Sequence, residues 1–243
     1  KVANIQTLAT ARVTTSPIAG QLPNINLFTN PEEIQTNWTA SGGYISPNTS
    51  FSPTDNLEAE EIVPDNTTGS HYIYRDYNLT SFDTFDDGVI TLDDTTNKFD
   101  EGSSAETQTY TFSVFLRREG LYKSRLQITL DPGTAATKNA FFDVDLLSAT
   151  IGSAFSPQGG LTIDDYGIVP VGLNWYRCYI TLTFSFGIST YRAQIYARNS
   201  AGSLTFQGLN QLSNAIGVWG AKLVSGGIDP YQAQNGTIFY ANN

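Results

Sequence analysis

The sequence predicts an all-β protein, folded as a two-sheet antiparallel sandwich. Three observations predict it. Apolar and polar residues alternate with a period of two along many short segments, turn-forming clusters separate those segments, and no window carries a helical period. Length and composition agree with this. The chain has 243 residues, of which 40% are apolar and 12% aromatic, enough for one sandwich with a large core.

The elements follow in order. Residues 1–24 hold Thr-Thr-Ser-Pro and Ala-Gly-Gln-Leu-Pro with few bulky apolar side chains, and are expected to form an extended arm or the remnant of a preceding domain. The sandwich is expected over 25–232. Strands are predicted at 57–63 and 71–77, set off by the turns Ser41-Gly42-Gly43 and Asp65-Asn66-Thr67-Thr68-Gly69. Residues 80–106 are rich in Asp, Thr and Ser and read as an acidic loop insertion. In the strand 110–116, Tyr110, Phe112, Val114 and Leu116 share one face. In 125–130, Leu126, Ile128 and Leu130 point inward, whereas Arg125, Gln127 and Thr129 make a wet face. Residues 140–147 and 161–169 are further strands. The longest predicted strand, 174–186, puts Tyr176, Cys178, Ile180, Leu182 and Phe184 on one side. Trp175, Arg177, Tyr179, Thr181 and Thr183 fall on the other. The strand 191–198 turns Tyr191, Ala193, Ile195 and Ala197 to the core. Strands at 215–224 and 237–240 complete the set, the last within a C-terminal extension, 233–243.

Charge and cysteine content bound the function. Thirteen Lys and Arg against 23 Asp and Glu give −10, which argues against nucleic acid as the main partner. No apolar run approaches the ~18–20 residues of a membrane span. A single cysteine, Cys178, excludes an internal disulfide. There is no methionine and no charged-then-apolar leader, so the chain is expected to be processed or a segment of a longer protein.

Six places carry a family resemblance. They are Asn26-Leu27-Phe28-Thr29-Asn30 with Asn37-Trp38-Thr39-Ala40-Ser41-Gly42-Gly43; Gly69-Ser70-His71-Tyr72-Ile73-Tyr74; Tyr110-Thr111-Phe112-Ser113-Val114-Phe115-Leu116-Arg117-Arg118-Glu119-Gly120; Ala140-Phe141-Phe142-Asp143-Val144; Asn174-Trp175-Tyr176-Arg177-Cys178; and Gly217-Val218-Trp219-Gly220-Ala221-Lys222-Leu223 with Asp229-Pro230-Tyr231. In this order they resemble a domain that recurs in tailed-phage virion proteins. That domain is a jelly-roll sandwich related to carbohydrate-binding modules and lectin-like sandwiches. The resemblance implies a jelly roll, a virion location and a non-enzymatic structural role. A tail-fibre adhesin, with or without glycan binding, and a capsid decoration protein are the two forms of that role. Other virion proteins and host surface polysaccharide are the implied partners, and a homo-oligomer, with a trimer the natural guess for a fibre, is the implied assembly. The alternative is a carbohydrate-binding module of a secreted glycan-degrading enzyme, since fold does not fix function.

Catalytic chemistry finds little support. His71 is the only histidine, so any Ser/His/Asp or Cys/His arrangement would need it. It sits in a predicted strand. Cys178 falls on a core face and is expected to be inert. A glycosidase pair would need two carboxyl groups facing each other across a cleft; Asp143, Asp145, Asp164 and Asp165 are the best-placed strand carboxylates, and they are expected to be solvated turn or edge charges. No cofactor is expected beyond a structural Ca²⁺, for which Asp83, Asp86, Asp87, Asp93 and Asp94 are the hard-oxygen candidates. The remaining lead is aromatic. Trp175, Arg177 and Tyr179 share one strand face, and Gln194, Tyr196 and Arg198 would lie beside them if the two strands pair. Such a patch would stack sugar rings and bind their hydroxyls. On that reading Trp175→Ala lowers binding and spares the fold.

Overall fold

A computed structural model describes residues 26–78, 108–155, 160–185, 188–229, 231–232 and 238–239. The expected arm, the acidic loop with its five Ca²⁺ candidates and most of the C-terminal extension lie outside the described residues.

Two antiparallel sheets form the predicted jelly-roll sandwich. The strands in chain order are β1 (Thr39–Ser41), β2 (Gly43–Phe51), β3 (Leu57–Pro64), β4 (Thr68–Asn78), β5 (Gln108–Arg118), β6 (Lys123–Leu130), β7 (Lys138–Asp145) and β8 (Thr150–Phe155). They continue with β9 (Leu161–Gly172), β10 (Trp175–Phe184), β11 (Thr190–Arg198), β12 (Thr205–Gln207), β13 (Ile216–Ser225), β14 (Tyr231–Gln232) and β15 (Ile238–Phe239). The first sheet has the order β1-β4-β11-β6-β7-β8, with β12 on β4. The second has the order β2-β3-β13-β5-β10-β9, and β14 pairs β15 apart from both. Helix is confined, among the described residues, to one turn of α1 (Ile34–Asn37) and a short 3₁₀ turn at Leu212–Asn214.

The inward faces match the alternation read from the sequence. Phe112, Val114 and Leu116 of β5 and Cys178, Ile180 and Leu182 of β10 meet Leu126 and Ile128 of β6 and Ala193 and Ile195 of β11. All are buried. Asn26 anchors the start of the sandwich. Its carboxamide donates to the Ala221 carbonyl at 3.1 Å and accepts from the Leu223 and Phe28 amides at 3.0 Å. This bracket pins the chain onto β13 and drops Phe28 beside Trp38, with ring centroids 5.8 Å apart.

Some strands had no signal in sequence. β2 contains Pro47 and Asn48, the latter at φ 51°, and its register against β3 shifts between Ser46 and Ser50. A proline and a left-handed residue are tolerated because β2 is an edge strand. β8 is another edge strand and is exposed throughout, so it has no burial alternation to read.

Gly220 resets the alternation of β13. Phe115 and Ser113 of β5 face Trp219 and Lys222, so one extra residue lies between. Gly220 sits there at φ 61°, and a Cβ would come within 2.9 Å of the Tyr231 hydroxyl and 3.0 Å of the Phe115 ring. The bulge turns Lys222 to the same outer face as Trp219.

Candidate functional site

The two halves of the expected aromatic patch lie on opposite outer faces of the sandwich. β10 pairs with β5 and β9, whereas β11 pairs with β4 and β6. The chain crosses from one sheet to the other between them, so Trp175, Arg177 and Tyr179 never meet Gln194, Tyr196 and Arg198. The combined patch is corrected on that ground.

The β10 half is covered. Trp175 is 0% and Arg177 1% exposed. Trp175 joins Ala59, Phe115, Trp219 and Tyr231 in a second hydrophobic cluster outside the main core. Its Nε1 donates to the Phe51 carbonyl at 2.9 Å. Arg177 donates to the Asp229 carbonyl at 2.7 Å and the Ser113 hydroxyl at 3.0 Å. Burial lowers its guanidinium to about 10, against the pull of Asp229, so it stays charged at neutral pH. Lys222 and Asp229 form a buried ion pair at 2.6 Å. Tyr231 reaches Glu32 at 3.3 Å. Tyr179, half-buried, lies over Gly167, where a Cβ would come 2.5 Å from the ring, and donates to Asp165 at 3.3 Å. Asp229 and Tyr231 thus close this face as a small outer core.

The β11 half belongs to a larger array on the outer face of the first sheet. Register sets its rows. Tyr72, Tyr196, Arg125 and Asp143 stand opposite one another across β4, β11, β6 and β7. The next row is Tyr74, Gln194, Gln127, Phe141 and Phe155, and the third is Asp76, Arg192, Thr129 and Asn139. At ~4.8 Å per strand the array spans roughly 19 Å from β4 to β8.

The array is held rigidly. Tyr72 stacks on Tyr196 at 4.6 Å and 26°, and Tyr74 lies 6.1 Å from Tyr72. Arg192 sits 4.2 Å over the Tyr74 ring and makes a two-pronged pair with Asp76 at 2.6 and 2.7 Å. Arg125 sits 3.5 Å over Phe141 and pairs with Asp143 at 2.7 and 3.2 Å. Phe141 stacks on Phe155 at 5.5 Å. Such cation–ring contacts contribute about 0.5–2 kcal/mol each. In the centre Gln127 donates to Gln194 at 3.2 Å, and Gln194 donates to the Tyr196 hydroxyl at 3.0 Å. Burial, then the Tyr72 charge, raises the Tyr196 phenol above its ordinary value, which keeps it a neutral donor. Arg198 pairs with Asp143 at 2.7 Å and donates to the Gly202 carbonyl.

Among the described residues, the hydrogen bonds and ring contacts of Tyr72, Tyr74, Arg125, Arg192 and Gln194 stay within this face. Most of its side chains are half-buried, so ring edges and polar tips remain in reach of a ligand. Of the six residues picked from sequence, Gln194, Tyr196 and Arg198 fall here. Tyr72, Tyr74, Arg125, Phe141 and Arg192 were missed, although the wet face of 125–129 and the alternating Tyr72 and Tyr74 carried a signal.

The other sequence candidates resolve into structure. His71 is buried, with Nδ1 against the Gly42 carbonyl and Nε2 2.8 Å from the Phe206 carbonyl. It ties β4 to the turn before β2 and to β12. Cys178 is buried, and burial drives its thiol far up. Among the described residues no three His, Cys, Asp or Glu side chains cluster as a metal site, and no helix is long and apolar enough to cross a membrane.

No protein-family model matches the chain, and no curated protein matches it in sequence. Solved structures do resemble it in fold. The enzymatically active domain of bacteriophage CBA120 tailspike protein 4 matches with a TM-score of 0.44 and 9% identity, over 83% of this chain and 21% of that one. The CBM22-1–GH10 modules of Clostridium thermocellum xylanase 10B, complexed with xylohexaose, match at 0.38 and 11%, over 82% and 28%. Xyl-CBM35, in complex with a glucuronic acid containing disaccharide, matches at 0.34 and 10%, over 81% and 96%. The chain spans about a fifth of the tailspike chain it matches. These are distant likenesses of a sandwich fold.

Proposed function

We propose that this chain is a non-enzymatic glycan-contact module of a phage virion, binding through the outer face of its first sheet. One observation carries the binding reading. Tyr72, Tyr74 and Tyr196 form a half-exposed aromatic strip flanked by Arg–Asp pairs whose geometry is already fixed. Sugar rings pack against the exposed ring edges, and pre-oriented phenol, amide, guanidinium and carboxylate groups bind hydroxyls without first losing rotamer freedom. Among the described residues, the outer face of the opposite sheet is covered over Trp175, Arg177 and Trp219 by Asp229 and Tyr231. The virion setting rests on the sequence resemblance. A module of a glycan-degrading enzyme would use the same face and would differ in carrying a catalytic domain in the same open reading frame. Weak single sites gain avidity when many copies share one particle.

The test is binding of the whole chain, presented multivalently, to a panel of bacterial surface polysaccharides. Saturable binding that Tyr196→Ala weakens about tenfold or more, with the melting transition retained, is expected. Binding that is indifferent to Tyr72→Ala and Tyr196→Ala would overturn the site. A folded protein that binds no glycan would leave assembly as the role of this sandwich.

A further inference from the structure

We infer that this face takes an anionic glycan, with a carboxylate-bearing sugar ring on the Tyr72–Tyr196 stack and its carboxylate on Arg125. The inference rests on the glycan-contact reading and deepens it.

The charge count around Asp143 is unbalanced. Arg125 holds it through Nε and Nη2, and Arg198 holds it through Nη1 at 2.7 Å. Two guanidiniums share one carboxylate, which leaves one positive charge uncompensated. Asp143 is buried, and the Arg125 and Arg198 side chains are 14% and 16% exposed, so that charge is poorly screened by water. Elsewhere on the face the pairs balance. Arg192 has Asp76, and Lys123 has Asp145 at 3.7 Å. The face therefore carries 4 − 3 = +1 on a chain of −10.

Arg125 also keeps donors for a ligand. A guanidinium has five N–H groups. Asp143 takes two, and among the described residues Nη1 and the second Nη2 hydrogen have no protein acceptor. This free end of the fork matches a second carboxylate in two-pronged geometry. The Phe141 ring, 3.5 Å below, fixes the plane of the fork. Arg198 lacks this freedom, since its other end is tied to Gly202.

Position completes the case. Tyr196 stands directly opposite Arg125 on the neighbouring strand, with Tyr72 beyond it. Adjacent strands lie about 4.8 Å apart. A pyranose ring on the tyrosine stack thus sets a ring carboxylate beside Arg125. Arg192 and Asp76, a balanced pair beyond Tyr74, suit the hydroxyls of the next sugar.

The test compares polygalacturonate, alginate and hyaluronan with their carboxyl-reduced, neutral forms, using the whole chain. At least one acidic polymer should bind about tenfold or more above its neutral form. That margin should shrink between about 50 mM and about 500 mM salt. Arg125→Gln should reduce the acidic-over-neutral ratio toward one, while Tyr196→Ala should weaken both forms. Arg125→Lys keeps the charge without the fork and should retain part of the preference, and it replaces the Gln variant if that one fails to fold. Equal, Tyr196-dependent binding of acidic and neutral forms overturns this inference and leaves the glycan-contact face standing. Acid-selective binding indifferent to both Arg125 variants overturns it as well. No binding of any polymer by the folded chain removes the contact face itself.

Discussion

Trp175→Ala separates a packing role from a binding role most sharply. The residue has no exposed surface. Its indole packs with Ala59, Phe115, Trp219 and Tyr231, lies under the Arg117 guanidinium at 5.3 Å and donates to the Phe51 carbonyl at 2.9 Å. Truncating a buried Trp to Ala costs about 3–5 kcal/mol, from lost transfer energy and the cavity left behind. Loss of the indole donor adds little, because the Phe51 carbonyl still accepts from the Arg117 guanidinium at 3.1 Å. A total of about 4 kcal/mol is expected. For a chain of this size each kcal/mol moves the midpoint by about 2–4 °C, so the melting temperature should fall by about 8–16 °C. Trp175→Phe keeps most of the apolar contact and should cost about 1–2 kcal/mol. The assay is thermal unfolding followed by tryptophan fluorescence, with glycan binding measured below the transition. Binding should be unchanged, since Trp175 lies on the sheet opposite the tyrosine strip. An unshifted midpoint with lost binding would refute this packing argument and return Trp175 to a ligand face.

Trp219→Ala should cost about 3–5 kcal/mol in the same way, because Trp219 is buried between Phe115 at 5.3 Å and Tyr231 at 5.4 Å; a urea titration with an unchanged midpoint would contradict it. Stability should fall as pH rises from about 4.5 to about 7. Burial raises Glu60 from 4.5 to about 7 despite the backbone amides of Gln35 and Ile34, with Glu33 adding to the rise. Burial and then Glu119 raise Glu61 from 4.5 to about 7 against Arg117. Below about 4.5 these carboxyls are protonated folded or unfolded. Between the two values the unfolded chain ionises first, which favours unfolding, and above about 7 the loss is complete. After solvent screening the loss is roughly 1–2 kcal/mol for each group. Melting curves from pH 5 to 8 should show it, and Glu60→Gln with Glu61→Gln should flatten that dependence. Cys178 should resist a thiol reagent at pH 8 until denaturant is added, because burial raises its thiol; prompt labelling of native protein would show the site to be open.

Particular residues show what could be read from sequence alone. Alternation placed Cys178, Ile180 and Leu182 inward and Trp175, Arg177 and Tyr179 outward, and both placements match the structure. The period of two belongs to each strand by itself, so one chain segment suffices to read it. The resembling segments are largely architectural. Asn26 brackets β13, Phe28 and Trp38 fill one end of the main core, and Gly220 makes the bulge beside Trp219. They therefore spoke to fold more clearly than to ligand. Tyr72 and Tyr74 were legible as an alternating pair and Arg125 as part of a wet face. Nothing in their spacing showed that all three share a face with Tyr196, 71 residues after Arg125 in the chain.

The sequence by itself determined the all-β class, the inward half of most strands and the inward placement of Cys178. Local sterics and the pleat make these properties of a single segment. Tertiary structure alone decided which strands stand side by side. β10 joins β5 and β9 while β11 crosses to β4 and β6, because each must bury its apolar side against the opposite sheet. That crossing buried Trp175 and Arg177 under Asp229 and Tyr231, and it assembled Tyr72, Tyr196, Arg125 and Asp143 into one row from four separate strands.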